Sequence, residues 1–221
     1  MTIHMQKEIG KLKKYLLGVC ALVEETLWKA VKSISERDEN LAQEIIESDV
    51  RIDHKEVEVE EECLKLLALY QPVAADLRFI ITAMKINNDL ERIADLAVNI
   101  AERSAFLAKH PPVNAPFDFE TMAEKTQKML RNSLDALVNL DCRLAYQVCA
   151  ADDEVDEINR QMYETTKQAI REHPEQVDVL IHLLSVSRHL ERIADHTTNI
   201  AEDVIYMVEG KIVRHSTENY Q

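Results

Sequence analysis

The stretch LERIADLAVNIAE at residues 90–102 returns as LERIADHTTNIAE at residues 190–202. Ten of the 13 positions are identical at an offset of 100 residues, which is far above chance. A fainter repeat lies upstream, where DVRID at residues 49–53 corresponds to DDEVD at residues 152–156, at an offset of 103. Repeats at a near-constant offset indicate an internal duplication, and the positions kept in both copies include acidic residues at helical spacing.

Length and composition restrict the class of protein. A chain of 221 residues fits one large domain or two domains of about 100 residues, and the duplication favours two. Forty acidic residues against 26 basic ones give a net charge of −14, which argues against nucleic acid as the partner and suits divalent cations or basic protein surfaces. Three glycines and five prolines leave little room for turns, so we expect helices rather than sheets.

Cysteine spacing and hydropathy indicate the compartment. The four cysteines form no C-x-x-C pair and no zinc-finger spacing, so we expect them to be reduced, buried apolar side chains. No run approaches 18 apolar residues, and the N-terminus shows no signal peptide. The sequence therefore predicts a soluble, cytoplasmic protein.

Apolar residues that recur every three or four positions predict six helices in two sets of three. The first helix carries an apolar stripe from Ile9 to Ile34, and Pro72 is expected to open the third helix, because proline is tolerated in a first turn. Gly210 is a candidate C-terminal cap. The other predicted helices span about Leu41–Tyr70, Val73–Lys109, Phe117–Asn139, Asp141–Glu172 and Glu175–Glu209.

A single amphipathic helix cannot bury its apolar stripe alone, so each set of three should close as a bundle. The predicted fold is therefore all-α, with two tandem antiparallel three-helix bundles related by internal duplication. Residues 1–110 form the first bundle, and residues 117–221 form the second. The proline-rich residues 111–116 form the linker.

Hairpin geometry should bring the acidic positions of the first half together. Pro72 lies midway along the chain between Asp53 and Glu91, and it also lies midway between Asp49 and Asp95. An antiparallel pair of helices that turns near this proline therefore sets each acid of one helix level with an acid of the other. On the third helix these acids should form a stripe that points away from the apolar face.

The second half repeats this arrangement around Pro174. This proline lies midway between Asp156 and Glu191 to within one position, and the same is true for Asp152 and Asp195. Both halves of the chain therefore preserve the same level pairing of carboxylates.

Carboxylates at this spacing repel each other, and bound cations would convert the repulsion into binding. Oxygen-only ligands select hard ions such as Mg²⁺, Ca²⁺, Mn²⁺ or iron. The alternative is a pair of solvated charged faces, in which Arg51, Arg92 and Arg192 pair locally with the acids. The predicted ligands are Asp49, Asp53, Glu91 and Asp95 in one half, and Asp152, Asp156, Glu191 and Asp195 in the other.

No catalytic constellation accompanies these acids. His54, His189 and His196 lie nearby, but the E-x-x-H signature of ferritin-like di-iron enzymes is absent, so we expect surface histidines. Asn99 and Asn199 are expected to hydrogen-bond to the ligands or between helices rather than to be ligands themselves. The sequence contains no Gly-rich phosphate loop, G-x-S-x-G elbow or Cys/His nucleophile arrangement, so we expect a protein that is not an enzyme.

Three long phrases of the sequence resemble the PhoU family of regulators associated with bacterial phosphate uptake. They are QPVAADLR at residues 71–78, DLERIADLAVNIAE at residues 89–102 and LERIADHTTNIAEDVIYMVEG at residues 190–210. The resemblance covers nearly the whole chain. It implies two three-helix bundles related by pseudo-twofold symmetry, with multinuclear metal clusters at the motifs formed by Glu91 and Asp95 and by Glu191 and Asp195. Iron is the first expectation for these clusters, with Mn, Mg, Zn and Ca as alternatives.

The resemblance also implies a role and partners. Proteins of this family restrain phosphate-starvation signalling by linking the phosphate ABC transporter, through its ATPase subunit, to a sensor histidine kinase. Two alternatives remain open on the residues alone: a carboxylate-bridged multinuclear metalloenzyme, and a purely structural helical adaptor. Whether the chain forms a homodimer, and whether it regulates the uptake of a different ion, also remain open.

Overall fold

The described part of the chain folds into six long helices. The computed structural model describes residues 3–113 and 118–213, and these residues contain α-helices and one 3₁₀ turn but no strand. The prediction of an all-α protein with six helices is confirmed. The helices are α1 (Ile3–Glu36), α2 (Glu39–Tyr70), α3 (Ala74–Ala108), α4 (Phe119–Asn139), α5 (Cys142–Glu172) and α6 (Val177–Glu209), with the 3₁₀ turn at Pro174–Gln176 directly before α6.

The turn between α2 and α3 differs from the prediction. Pro72 does not lie in the first turn of α3, because the chain leaves α2 through a left-handed Gln71 (φ 46°) whose N–H donates to the Leu67 carbonyl. Val73 is then extended (φ −130°, ψ 161°) and serves as the N-terminal cap residue. The helix begins only at Ala74, after both the proline and this extended residue.

Two other boundary predictions have different outcomes. Gly210 caps α6 in the left-handed conformation (φ 72°), and its N–H donates to the Tyr206 carbonyl, so this prediction is confirmed. The predicted start of α4 at Phe117 and most of the linker, residues 114–116, lie outside the described residues.

Equivalent aspartates start the second helix of each half. Asp38 caps α2 by accepting a hydrogen bond from the Leu41 N–H at 3.0 Å. Asp141, its counterpart in the duplication, caps α5 by accepting one from the Leu144 N–H at 3.1 Å. The duplication has therefore preserved the start of this helix as well as its acidic face.

Each helix buries one apolar stripe. The predicted stripe of α1 is buried from Leu12 to Ala30, with Ile9 and Ile34 partly buried at its two ends. Cys20, Cys63 and Cys149 are buried, as predicted, whereas Cys142 is only half-buried, and all four are free thiols. None of the described helices is both long and apolar enough to cross a membrane.

Helices α1, α2 and α3 pack together as one bundle, and α4, α5 and α6 pack together as the second. Contacts between the bundles run mainly through α3 and α6, and α1 also touches α4. Helices α3 and α6 are antiparallel, since Lys85 near the start of α3 pairs with Asp203 near the end of α6. Likewise Phe106 near the end of α3 stacks on His182 near the start of α6, with ring centroids 3.7 Å apart. The buried apolar residues of the two bundles form one continuous core.

Replacing the cap of α5 tests the local basis of the helix start. We expect Asp141→Ala to lower the free energy of unfolding by about 1 kcal/mol, because the Leu144 N–H loses its acceptor. Asp141→Asn is the matched control, since asparagine supplies an equivalent acceptor. Urea unfolding followed by circular dichroism measures both, and equal stability of the alanine and asparagine variants would contradict the cap.

Candidate metal centres

The acidic set of the first half lies along the seam between α2 and α3. Asp49, Glu91 and Asp95 are half-buried, and Asp53 is exposed. The stripe on α3 was predicted to point well away from the core, which is only partly correct. Close packing of α2 on α3 covers one side of these carboxylates, and they therefore lie at the edge of the core rather than clear of it.

Electrostatics show that the two helices bring these acids together. Partial burial raises the pKa of Asp49, and the charges of Asp53 on its own helix and Asp95 on α3 raise it further. Partial burial is also the main cause of the raised pKa of Glu91, followed by the charge of Asp95. Negative charges from both helices therefore disfavour ionisation at this seam.

The second half places its acids along the seam between α5 and α6. Asp152, Asp156 and Glu191 are half-buried, and Asp195 is exposed. Burial raises the pKa of Asp152 to about 7, with further contributions from Asp195 and Asp156. Loss of hydration and then neighbouring carboxylates raise the pKa values of Glu191 and Asp195 as well. All four predicted residues of this half therefore interact.

Three carboxylate oxygens at these seams are buried without a hydrogen-bond partner in the described part of the chain. Asp49 Oδ1 and Asp152 Oδ1 occupy equivalent positions of the duplication, and Glu91 Oε2 is the third. Arg92 Nε lies 3.5 Å from that Glu91 oxygen, too loosely placed to form a hydrogen bond. A buried polar atom without a partner costs free energy, and a cation would satisfy such an oxygen.

The side chains do not form a closed ligand cage. Within residues 3–113 and 118–213, no group of three or more His, Cys, Asp or Glu side chains converges closely enough to hold a metal ion. The donor set still fits hard cations in its chemistry, because it consists of carboxylate oxygens and leaves several of them without a partner. The structure thus shows two acidic seams of suitable chemistry, and the predicted ligand sets remain predictions.

The alternative to metal binding was that arginines pair locally with the seam acids. Such pairing occurs in the first half only. Arg92 lies 3.5 Å from both Glu91 and Asp95. Arg51 and Arg192 form no ion pair with a described carboxylate. One exposed arginine at these distances does not neutralise a set of four carboxylates.

Next to each seam, a side-chain hydrogen bond joins the two helices of the hairpin, and the sequence did not predict either one. Asn87 on α3 donates to the backbone oxygen and side chain of Glu56 on α2, at 2.9 and 3.1 Å. In the second half Ser187 donates to Asn159 at 2.9 Å, at the corresponding positions. The offsets of the duplication would have paired these positions, but the residue types differ between the halves and hide the relationship.

The histidines next to the repeated phrase are not surface groups, so that prediction is wrong for two of them. His189 and His196 are half-buried, because the face of α6 that carries them packs along α3. His196 Nδ1 lies 2.8 Å from Asp89 Oδ1 on α3, which sequence analysis did not single out. Burial and then Arg103 lower the pKa of His189 to about 4, so this imidazole is neutral at pH 7.

Of the two asparagines of the repeated phrase, Asn199 forms a predicted hydrogen bond between helices, whereas Asn99 bonds to the backbone of its own helix. Asn99 donates to the Asp95 backbone carbonyl within α3 at 2.8 Å. Asn199 donates across the interface to Asp89 at 3.4 Å.

Fold and seams together define a class of protein, namely tandem three-helix bundles built by duplication, with one acidic hairpin in each bundle. The family model for the PhoU domain matches this chain twice, at residues 16–104 and 119–204. Each match falls within one of the two bundles. The chain belongs to the PhoU family.

Relatives and solved structures agree with this assignment. The phosphate-specific transport system accessory protein PhoU homolog of Aquifex aeolicus is 40% identical over 209 residues, which cover 95% of each chain. The crystal structure of PhoU from Pseudomonas aeruginosa superposes with a TM-score of 0.90 at 34% identity, over 93% of this chain and 99% of that one. The phosphate transport system regulatory protein PhoU from Streptococcus pneumoniae gives a TM-score of 0.84 at 30% identity, over 95% and 99% of the two chains.

The raised pKa of Asp152 predicts a pH dependence of the metal-free protein. The carboxyl binds its proton more tightly in the folded state, so its contribution to stability is present below the unfolded pKa of 3.8 and is lost as the pH rises through about 7. We expect the melting temperature of metal-stripped protein to fall from about pH 5 to about pH 8, and Asp152→Asn to reduce that fall.

Asp135→Asn, an exposed change on α4, is the control for this pH series. Calorimetry on the three proteins across the pH range provides the measurement. Parallel pH profiles for the parent and Asp152→Asn would show that the carboxyl titrates normally.

Proposed function

We propose that this protein is a non-enzymatic, metal-binding regulator of phosphate uptake. One observation carries the metal-binding part of the proposal. Asp49 Oδ1 and Asp152 Oδ1 are both buried without a hydrogen-bond partner, at equivalent positions of two hairpins. Retention of the same costly feature in both halves of a duplicated chain is best explained by a ligand that satisfies it.

The residues that would hold the ions are those of the two seams. When bound, the cations supply positive charge that offsets the repulsion among the carboxylates and joins the two helices of each hairpin. Partial exposure of the acids favours several bridged ions with water completing their shells over one enclosed ion. Iron is the first candidate, with Mn, Mg, Zn and Ca as alternatives. The proposed ligands are Asp49, Asp53, Glu91 and Asp95 in one hairpin, and Asp152, Asp156, Glu191 and Asp195 in the other.

The regulatory part of the proposal rests on family membership. Relatives that align over nearly their whole length are named as accessory proteins of the phosphate-specific transport system. We infer that this chain associates with the phosphate ABC transporter at the cytoplasmic side of the membrane. It would act there as a negative regulator of the phosphate-starvation response, linking the ATPase subunit of the transporter to a sensor histidine kinase. The net charge of −14 suits basic surfaces on such partners.

Chelation tests the metal centres. A ligand that binds only the folded hairpins stabilises the protein by about 2.7 kcal/mol at about 100 times its Kd. We therefore expect a chelator to lower the melting temperature of freshly purified protein. The double variant Asp95→Asn with Asp195→Asn should lose most of this sensitivity and most of its bound metal, as measured by elemental analysis.

The matched control replaces two exposed acids that lie outside the seams, Glu61→Gln with Asp135→Asn. This pair removes the same formal charge and should leave metal content and chelator sensitivity unchanged. If the Asp95/Asp195 variant bound as much metal as the parent, the seams would be solvated faces and the protein a structural adaptor. Metal-dependent turnover of a substrate would favour the metalloenzyme instead.

Deletion of the gene in cells tests the regulatory role. We expect a reporter of phosphate starvation to be expressed at high phosphate when the protein is absent, because its restraint on the kinase is lost. Complementation with the parent protein should restore repression, and the Glu61/Asp135 variant serves as the control for expression level. Unchanged reporter expression in the deletion strain would contradict the proposed role.

A further inference from the structure

Duplicated positions of α3 and α6 contribute to two grooves, of which the first is lined by both helices and the second by α6 alone. The first, called here the acidic groove, includes Lys85, Asn88 and Asp89 of α3 with Glu202 and Asp203 of α6, and its volume is about 590 Å³. The second, called here the basic groove, includes Ser185, Arg188, His189 and Arg192 of α6, and its volume is about 350 Å³. An offset of 100 relates Lys85 to Ser185, Asn88 to Arg188 and Asp89 to His189. The α3 side of the acidic groove and the basic groove on α6 therefore lie on corresponding helix faces of the duplication, and the two grooves differ in charge.

The acidic groove satisfies its charges internally. Lys85 Nζ lies 2.5 Å from Asp203 Oδ1, across the interface between the bundles. His196 Nδ1 lies 2.8 Å from Asp89 Oδ1, and Asn199 donates to the same oxygen at 3.4 Å. Asp89 and Asp203 thus each have a partner from the opposite helix.

The positive charges of the basic groove are not balanced by comparable ion pairs among the described residues. Arg188 and Arg192 form no ion pair with a described carboxylate. Arg103 occupies the duplicated position of Asp203, and all three arginines lie close enough to act electrostatically on His189. Glu191 interacts electrostatically with Arg188 and Arg192 but pairs with neither. Three positive charges therefore accumulate at one end of a protein whose net charge is −14.

Buried side-chain nitrogens at this end are also left without hydrogen-bond partners in the described part of the chain. Arg103 Nε and His189 Nδ1 are buried and have no hydrogen-bond partner among the described residues. His189 Nε2 lies 3.2 Å from Ser185 Oγ, so the hydroxyl and the imidazole are already positioned together on the groove wall. Buried guanidinium nitrogens without an acceptor are costly, and an anion in or beside the groove would supply one.

We propose that the basic groove binds a small, multivalent, phosphoryl-bearing anion. Guanidinium groups bind phosphoryl oxygens through paired, charge-assisted hydrogen bonds, and clustered arginines favour an anion with more than one negative charge. The groove volume of about 350 Å³ accommodates a ligand of pyrophosphate size and is at the lower end of small-molecule sites. The groove adjoins the acidic seam of the second half, because Arg188 also borders a cavity lined by Asp156 and Glu191. No residue of the groove is a proposed metal ligand, and anion binding there does not require a metal ion.

Calorimetric titration with pyrophosphate tests the proposal. The full chain is first stripped of metal and moved into a chelator-free buffer, because ions in the acidic seams would also attract phosphate. We expect saturable binding to the parent, weaker binding of inorganic phosphate, and no saturable binding of monovalent acetate. Arg188→Gln with Arg192→Gln should weaken pyrophosphate binding at least about tenfold, since two charge-assisted contacts are lost.

The matched control is Arg143→Gln with Arg171→Gln. Both are exposed arginines of α5 that lie outside the groove and the acidic seams, so this variant removes the same charge. It should retain the parent affinity, and the melting temperatures should show that both variants fold. Equal affinity in the Arg188/Arg192 variant and this control would overturn the proposal, as would unsaturable binding to the parent.

A last experiment distinguishes between a soluble anion and a lipid headgroup as the ligand of the basic groove. Parent protein is mixed with phosphatidylglycerol vesicles and sedimented, with and without pyrophosphate. Release of the protein by pyrophosphate, or failure to sediment together with saturable pyrophosphate binding in solution, supports the proposal. Sedimentation with vesicles and no binding of pyrophosphate in solution would overturn it in favour of a membrane surface.

Discussion

The packing of α3 against α6 is the contact on which the rest of the molecule depends. Each of these helices carries one copy of the repeated phrase and divides its circumference among three environments. One face fills the core of its own bundle, a second packs on the other central helix, and the third borders the neighbouring helix of its hairpin. The acids of the two seams lie on this third face. Because the apolar core is continuous through this contact, the two bundles form a single packed unit.

Close helix packing makes the ionised form of the seam carboxylates less favourable. Carboxylates at the edge of a core lose part of their hydration while still repelling one another, and both effects raise their pKa values. Seams of this kind weaken the empty protein and are stabilised by whatever neutralises them. A cation that neutralised a seam would therefore also stabilise the hairpin that carries it.

Sequence periodicity determined most of the fold, because one apolar stripe per helix is enough to specify a three-helix bundle. The same spacing placed Asp49 near Asp95 and Asp152 near Asp195, and the electrostatic interactions agree with it. The contact between the two bundles could not be predicted from the sequence. Whether His196 faces solvent or Asp89 depends on how α6 lies on α3, and single-helix periodicity carries no such information. For the same reason the two grooves along α3 and α6 were not anticipated.

Asp203 corresponds to Arg103 at the duplicated position, so the two ends of the molecule differ in charge. Two identical chains related by a twofold axis would present the same groove at both ends and could not distinguish one from the other. Fusion into one chain removed that restriction, and the two grooves have since acquired opposite charge. Any partner that recognises one groove is consequently held in a single orientation, so that the opposite end of the molecule always faces away from it.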